Sequence, residues 1–284
     1  MEGLATLIVA ILAYLFVVDF PEKNKFLTAD QTRFIIQRLE KDRGDVEMDH
    51  WTGKKFVGYL LTPKLWAFGI LFGSATTCAY AFAYFLPIIL VGMGFSEINA
   101  QLLVAPPYFT SIFVGFGLAY LGDKYVIRAP IILFQTVLTI IGLSMVSISD
   151  EFMTSVNSRI VKTAFHPTVA VRYTGVFFGL AGATANIASI LGYMQNNIFG
   201  QTKRAFTSAL VIGAGGIGGI IASTVFRSVD APGYRPGLWV TIGANFVILI
   251  VCTILTIGFM IRNKQARSGR GGPIEGREGF FYTI

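Results

Sequence analysis

The sequence predicts an all-α, polytopic membrane protein with about seven transmembrane helices. Three observations carry that class. Only 14% of the 284 residues are charged and 54% are hydrophobic, whereas a soluble domain carries roughly a quarter charged residues. Residues 65–96, 173–202, 205–226 and 236–261 contain no Asp, Glu, Lys, Arg or His, and a span needs about 20 mostly apolar residues. Lys and Arg, finally, are confined to the connections and fall unevenly on their two sides. A β-barrel would instead show segments of about ten residues with alternating polarity.

Taken in order, the candidate spans are residues 3–18, 65–91, 101–121, 129–148, 173–194, 206–226 and 236–261. The first is short. It lacks a basic leading region, since Glu2 is the only charge before it, and no small-residue cleavage site follows, so it reads as a retained span rather than a signal peptide. The polar stretch 20–64 carries a capping box, with Thr28 as N-cap and Gln31 three residues on. Phe34, Ile35 and Leu39 then recur at near-helical spacing among Arg33, Arg38, Glu40, Lys41, Asp42 and Arg43. This pattern fits an amphipathic helix on a membrane surface, or equally a solvated linker helix. The implied organisation is an isolated helix at 1–19, a loop at 20–64, a six-helix bundle at 65–261 and a tail at 262–284.

If stretch 20–64 is cytoplasmic, 18 of the 23 Lys and Arg residues lie on that side and five on the other. The positive-inside rule then places the C-terminus in the cytoplasm and, with seven spans, the N-terminus outside. The net charge of +7 therefore describes topology, and nucleic-acid binding is excluded as a reading. Cys78 and Cys252 sit within apolar runs, and His50 and His166 are far apart in polar ones. No metal-ligand spacing results, and no cofactor motif is present. Nothing resembles a catalytic triad or a phosphate-binding loop, so the sequence does not read as an enzyme.

Several motifs bear on function. Asp123, Lys124 and Arg128 cluster at the end of the third span, after Gly117, Ala119 and Gly122. They fit either a charged gate whose ion pairs form in one state of a rocking carrier, or a plain basic loop. Gly213, Gly215 and Gly218 match the GxGxxG spacing of a dinucleotide fingerprint, but they stand inside an uncharged apolar run with no strand or acid in place. Gly215 and Gly219 form a GxxxG pair, so Gly213, Gly215, Gly216, Gly218 and Gly219 read as a helix-packing face. Tyr80 and Tyr84 share a helix face, one turn from Thr76 and Thr77, which suits an organic substrate or simple packing. Tyr108 follows Pro106 and Pro107. Asn186 lies mid-span, where an amide facing lipid is costly, so it lines a cavity or makes an inter-helix hydrogen bond. Gln195, Asn196 and Asn197 end the same span and fit a substrate exit or an interfacial helix end. No carboxylate or histidine lies inside the last six spans, although proton-coupled carriers usually hold an ionisable group there.

Particular stretches carry a family resemblance: Asp19 to Glu22, Phe26 to Thr28, Arg38 to Asp42, Phe85 to Pro87, Pro106 to Tyr108, Gln195 to Asn197, Lys203 to Ala205 and Ala222 to Arg227. Together they resemble the C-terminal half of a fungal major facilitator superfamily carrier, and within it the allantoate permease group of anion:cation symporters. The resemblance implies a six-helix bundle plus one preceding helix, and a plasma-membrane importer of organic anions or vitamins such as allantoate or nicotinate, driven by protons. It implies that the second, third, fifth and sixth spans line the substrate path, which favours Tyr80, Tyr84, Tyr108 and Asn186 and disfavours Gln135; Asn197, from its place at the end of the fifth span, is a candidate for the same path. It also implies an absent N-terminal half, so that the chain would need that half, or another carrier copy, to transport. The alternative is a non-transporting membrane protein that modulates a full-length carrier. Two departures stand out: Ala119 and Val126 occupy positions where the family's signature has glycine, and the connection at 149–171 is longer than in similar carriers.

Overall fold

The structure, a computed structural model, describes residues 2–17, 26–43, 52–147, 167–226, 235–270, 272–276 and 279–284. Most of the long 149–171 connection lies outside the described residues. Two compact units divide the chain: Met1–His50 with Gly200–Thr202, and Trp51–Phe199 with Lys203–Ile284.

The first unit contains α1 (Glu2–Phe16) and α2 (Ala29–Arg43). At 15 residues, α1 is about 22 Å long, short of the roughly 30 Å hydrocarbon core. The seven expected spans are thus met by six helices of sufficient length and one shorter apolar helix. At α2 the capping box forms as its spacing requires. Thr28 N donates to Gln31 Oε1 at 3.1 Å, and Gln31 N to Thr28 Oγ1 at 3.4 Å, so each side chain satisfies the other's backbone donor.

The second unit is all helical among the described residues: α3 (Gly53–Leu60), α4 (Pro63–Gly92), α5 (Glu97–Tyr125), α6 (Ala129–Ser147), α7 (Pro167–Asn197), α8 (Gln201–Val225) and α9 (Arg235–Arg267). Six of these, α4 to α9, are long and apolar enough to cross a membrane. Their limits follow local chemistry. Pro63 opens α4, where a missing N–H costs nothing. Ser96 caps α5 by accepting from Asn99 N. Val126 ends α5 in a left-handed conformation, φ 55°. A β-branched residue is strained there, and glycine would not be. This is one of the two positions where the resemblance leads to an expectation of glycine. The eight-residue helix α3, unforeseen as a separate element, packs Phe56 and Tyr59 on the Phe206 ring of α8.

Burial of apolar surface does not drive helix association in lipid; close packing and hydrogen bonds do. The tightest crossing is α6 on α7. A Cβ on Gly142 would fall on the backbone of Gly179 and Gly175, and one on Gly182 would fall on Thr139 Oγ1 and Gln135 O. At the centre of the bundle, Phe82, Leu86 and Leu90 of α4 pack with Leu143 of α6 and Val176 and Leu180 of α7. A second cluster joins Leu65, Phe68 and Leu71 of α4 to Ile190, Tyr193 and Met194 of α7 and Ile248 and Cys252 of α9.

On α8 the buried residues Thr207, Val211, Gly215, Gly218 and Ala222 form one stripe at helical spacing. That stripe lies on α4. A Cβ on Gly218 would strike Gly73 O and Thr76 Oγ1, and one on Gly215 would strike the Phe72 ring. Thr76 Oγ1 also donates across the seam, to Gly215 O at 3.2 Å. Gly219 lies against the Tyr80 ring, whereas Gly213 and Gly216 face open space. Gly215, Gly218 and Gly219 thus face neighbouring backbone and side chains, and Gly213 and Gly216 do not.

Candidate functional site

Helix α4 carries the tyrosine pair. Tyr80 and Tyr84, one turn apart, stack with ring centroids 5.7 Å apart and planes within 14°. They are 41% and 52% exposed, and neither hydroxyl has a hydrogen-bond partner among the described residues. Tyr80 lies about 26 Å along α4, near its middle. An unpartnered hydroxyl at that height is costly in hydrocarbon but not beside water. Gly219 holds the back of the Tyr80 ring at 3.2 Å from where its Cβ would stand, which orients the ring outward.

The other expected pathway residues are placed differently. Tyr108 is half-buried on α5 beside the cluster around Leu86 and Leu180. Asn186 is 1% exposed, and its Nδ2 donates to Thr136 Oγ1 of α6 at 3.0 Å. This is the inter-helix hydrogen bond that was one of its two readings. Gln135, next to Thr136 in α6, is fully buried, and neither its amide nitrogen nor its oxygen has a protein partner. Asn197 is also fully buried, and its Nδ2 donates to Tyr193 O within α7. The tyrosine pair, Asn186 and Asn197 do not form one contiguous cluster. A separate cleft of about 350 Å³ runs between α5 and α7, lined by Ser111, Phe116, Thr184, Ser189 and Arg128 among others.

The charged cluster at the end of α5 forms as its spacing allows. Arg128 Nη2 donates to Asp123 Oδ1. The guanidinium lies 3.4 Å from where a Cβ of Gly192 would stand, so α7 makes room for it with glycine. Lys124 turns away, its Nζ 5.6 Å from the Tyr125 ring centroid. Asp123 and Arg128 thus form a pair, and Lys124 is not part of it.

A larger polar assembly was not foreseen from the sequence. Glu275, in a 3-10 turn (Ile274–Gly276), accepts from Lys64 Nζ at 2.8 Å and from Lys203 Nζ at 2.6 Å. Tyr282 OH donates to the same carboxylate at 3.0 Å. Lys64 Nζ also donates to Asn197 O at 2.6 Å and lies 4.3 Å from the Tyr282 ring centroid. Burial alone would raise the Glu275 carboxyl. The attraction of Lys64 and the hydrogen bonds from both lysines outweigh it and hold the group at about 2. Burial, reinforced by the negative Glu275, pushes the Tyr282 phenol up.

The sign of the resulting pH dependence follows. A carboxyl depressed from about 4.3 to about 2 contributes stability that is complete above about pH 4.3 and is lost as pH falls toward 2. Thermal unfolding followed between pH 7 and 3 should show a difference between the parent and Glu275→Gln that is constant down to about pH 4.5 and shrinks below it.

No solved structure matches the chain. The chain is 28% identical over 287 aligned residues to the MFS transporter prlL of a fungal species, covering 99% of this chain and 54% of that protein. It is 30% identical over 205 residues to the high-affinity nicotinic acid transporter of Saccharomyces cerevisiae, covering 72% of this chain and 35% of that protein. It is 24% identical over 278 residues to the major facilitator-type transporter hxnP of Emericella nidulans, covering 96% and 52%. The chain spans about half the length, or less, of these curated relatives. The Major Facilitator Superfamily model matches residues 1–223. With six long apolar helices and a family model matched over most of its length, the chain is a multi-pass membrane protein that belongs to the Major Facilitator Superfamily.

Proposed function

We propose that this chain forms the C-terminal half of a secondary transporter for small organic anions or vitamins, of the allantoate permease type. The observation that carries the proposal is the stacked, outward-facing Tyr80–Tyr84 pair near the middle of α4. Two parallel rings with free hydroxyls offer a flat face to a planar ring or carboxylate-bearing solute, and hydrogen-bond donors to its oxygens. The relative whose name specifies nicotinic acid supports this solute class. Tyr108 of α5 belongs to the same path in this reading, while Asn186 and Asn197 hold α7 behind it. The coverage of about half of each relative supports the half-carrier reading, and transport names among the relatives favour a carrier over a modulator. Asp123 and Arg128 act as the gate pair at the cytoplasmic end, in the plasma membrane. The carrier is proton-driven, and the proton-binding group lies outside α4 to α9, whose interiors hold no carboxylate or histidine.

The test is uptake of labelled nicotinate and allantoate by uptake-deficient yeast. The chain is expressed alone, and joined to the N-terminal half of a fungal relative. Uptake is expected only from the joined protein, and Tyr80→Ala is expected to lower it about tenfold, the equivalent of losing one aromatic contact worth about 1.4 kcal/mol. Equal uptake by the chain alone would overturn the half-carrier reading; unchanged uptake in Tyr80→Ala would overturn the site.

A further inference from the structure

Lysines stand at the wrong end of two helices. Lys64 is the second residue of α4 and Lys203 the third of α8. The N-terminus of a helix already carries about half a positive charge, so cations there are disfavoured and a carboxylate is favoured. Both ammonium groups are also largely covered, at 14% and 16% side-chain exposure. No acidic residue occurs in the first turn of either helix. The compensating charge comes from Glu275, 211 residues beyond Lys64 and 72 beyond Lys203.

The segment that delivers Glu275 is built to fold back. Gly269, Gly276 and Gly279 have φ of 68°, 77° and 81°, and Glu275 itself adopts φ 54°. A non-glycine residue in that conformation costs about 1 kcal/mol or more and persists only where its surroundings hold it. The holding contacts are specific. Asn263 of α9 grips the Tyr282 backbone in both directions, Nδ2 donating to Tyr282 O at 2.8 Å and Tyr282 N donating to Oδ1 at 2.9 Å. The Tyr282 ring stacks on Phe259 at 4.3 Å, Phe280 meets Phe199 at 5.8 Å, and Arg128 N donates to Ile284 O at 2.8 Å. One short segment thereby touches the starts of α4, α6 and α8, the end of α7 and the last turns of α9.

We propose that residues 274–276 and 279–284 form a detachable clasp that holds these five helix ends together, and that its release lets the starts of α4 and α8 separate. The carboxylate is the catch. With it in place, the two lysine-bearing helix ends are drawn to one point; without it, two ammonium groups and two positive helix ends repel each other. The clasp lies beyond residue 223, where the family match ends. Any effect on transport rests on the carrier reading above, because α4 and α8 carry Tyr80 and the glycine seam behind it. The clasp itself does not.

The experiment uses the full chain in lipid nanodiscs. Cysteines replace Leu61 and Ala205, both exposed, beside the starts of α4 and α8. Cys78 and Cys252 are buried and stay unlabelled. Spin-label distances are compared between this protein and the same protein carrying Glu275→Gln or Asn263→Ala, and hydrogen exchange is followed at the Tyr282 amide. A single narrow distance is expected in the parent, with a longer and broader one in both variants, and Tyr282 exchange accelerated at least about tenfold. An unchanged distance in a folded variant overturns the clasp, whether or not exchange accelerates. So does a parental Tyr282 amide that exchanges as fast as an unstructured peptide, a result that stands even if Glu275→Gln fails to fold. Asn263→Ala keeps the carboxylate but frees the segment that delivers it to the lysines, and decides the matter in that case.

Discussion

Gly142→Ala, a single added methyl, is expected to unfold or severely destabilise the bundle. The Cβ would fall on the Gly179 backbone nitrogen and beside Gly175 O. Main-chain atoms cannot rotate aside, so α6 and α7 must separate. Separation would strip the Asn186–Thr136 hydrogen bond and open the packing around Leu143, Val176 and Leu180. Overpacking in a core that can adjust costs about 1–3 kcal/mol; with backbone as the obstacle, the loss should reach or exceed about 3 kcal/mol. Heating the detergent-solubilised protein and measuring the fraction still monodisperse by size exclusion reads this directly. Gly213→Ala is the matched control, because nothing lies within 4 Å of its Cβ position. It should be neutral or slightly stabilising, since alanine favours helix over glycine by about 1 kcal/mol. Equal stability of the two variants would show that α6 and α7 do not touch as described.

The second large effect belongs to α8. Gly218→Ala places a methyl against Gly73 O and Thr76 Oγ1, so the α4–α8 seam must open. Gly216→Ala, two residues away, meets nothing. A stability loss of about 2–3 kcal/mol is expected for the first and none for the second, by the same heating assay. The first should also disturb Tyr80, whose ring rests on Gly219 one residue along. In the uptake assay, Gly218→Ala should therefore resemble Tyr80→Ala, while Gly216→Ala should transport normally.

These two contrasts also mark how far the sequence could be read. Local signals were legible. The Thr28–Gln31 box depends on residues three apart, and both of its hydrogen bonds form. The six long spans need only a run of apolar residues, and all six are helices. The short first segment was legible as apolar but lacks the length. The packing glycines were half legible. A dense run from Gly213 to Gly219 advertises a close approach without saying which side of the helix approaches, and the structure selects Gly215, Gly218 and Gly219. Gly175, Gly179 and Gly182 also recur at helical spacing and make the tighter seam, but they are spread among Phe177, Phe178 and Leu180 and draw no attention. Gly142 has no local signature at all, because its reason for being glycine is a backbone more than thirty residues away. Glu275 is the extreme case: a carboxylate in a basic tail whose partners open two distant helices. For the site, Asp123 and Arg128 were within five residues and were found together. The surroundings of Asn186 depended on a neighbouring helix, and the sequence could only state alternatives.

The six long helices are very unequally enclosed: 61% of the most apolar window of α7 is buried within the fold, but only 11% of that of α5. This difference should be visible as a map of mutational tolerance. Along α7, most of the helix surface is read by other helices, so a library of single substitutions should lose most of its members there. Along α5, the rings of Phe109, Phe113 and Phe116 meet no such censor from this chain. Swaps among large apolar side chains at those positions should pass unnoticed in any assay of this fold alone. Any that are rejected in a functional screen would report on whatever borders α5 in the assembled protein.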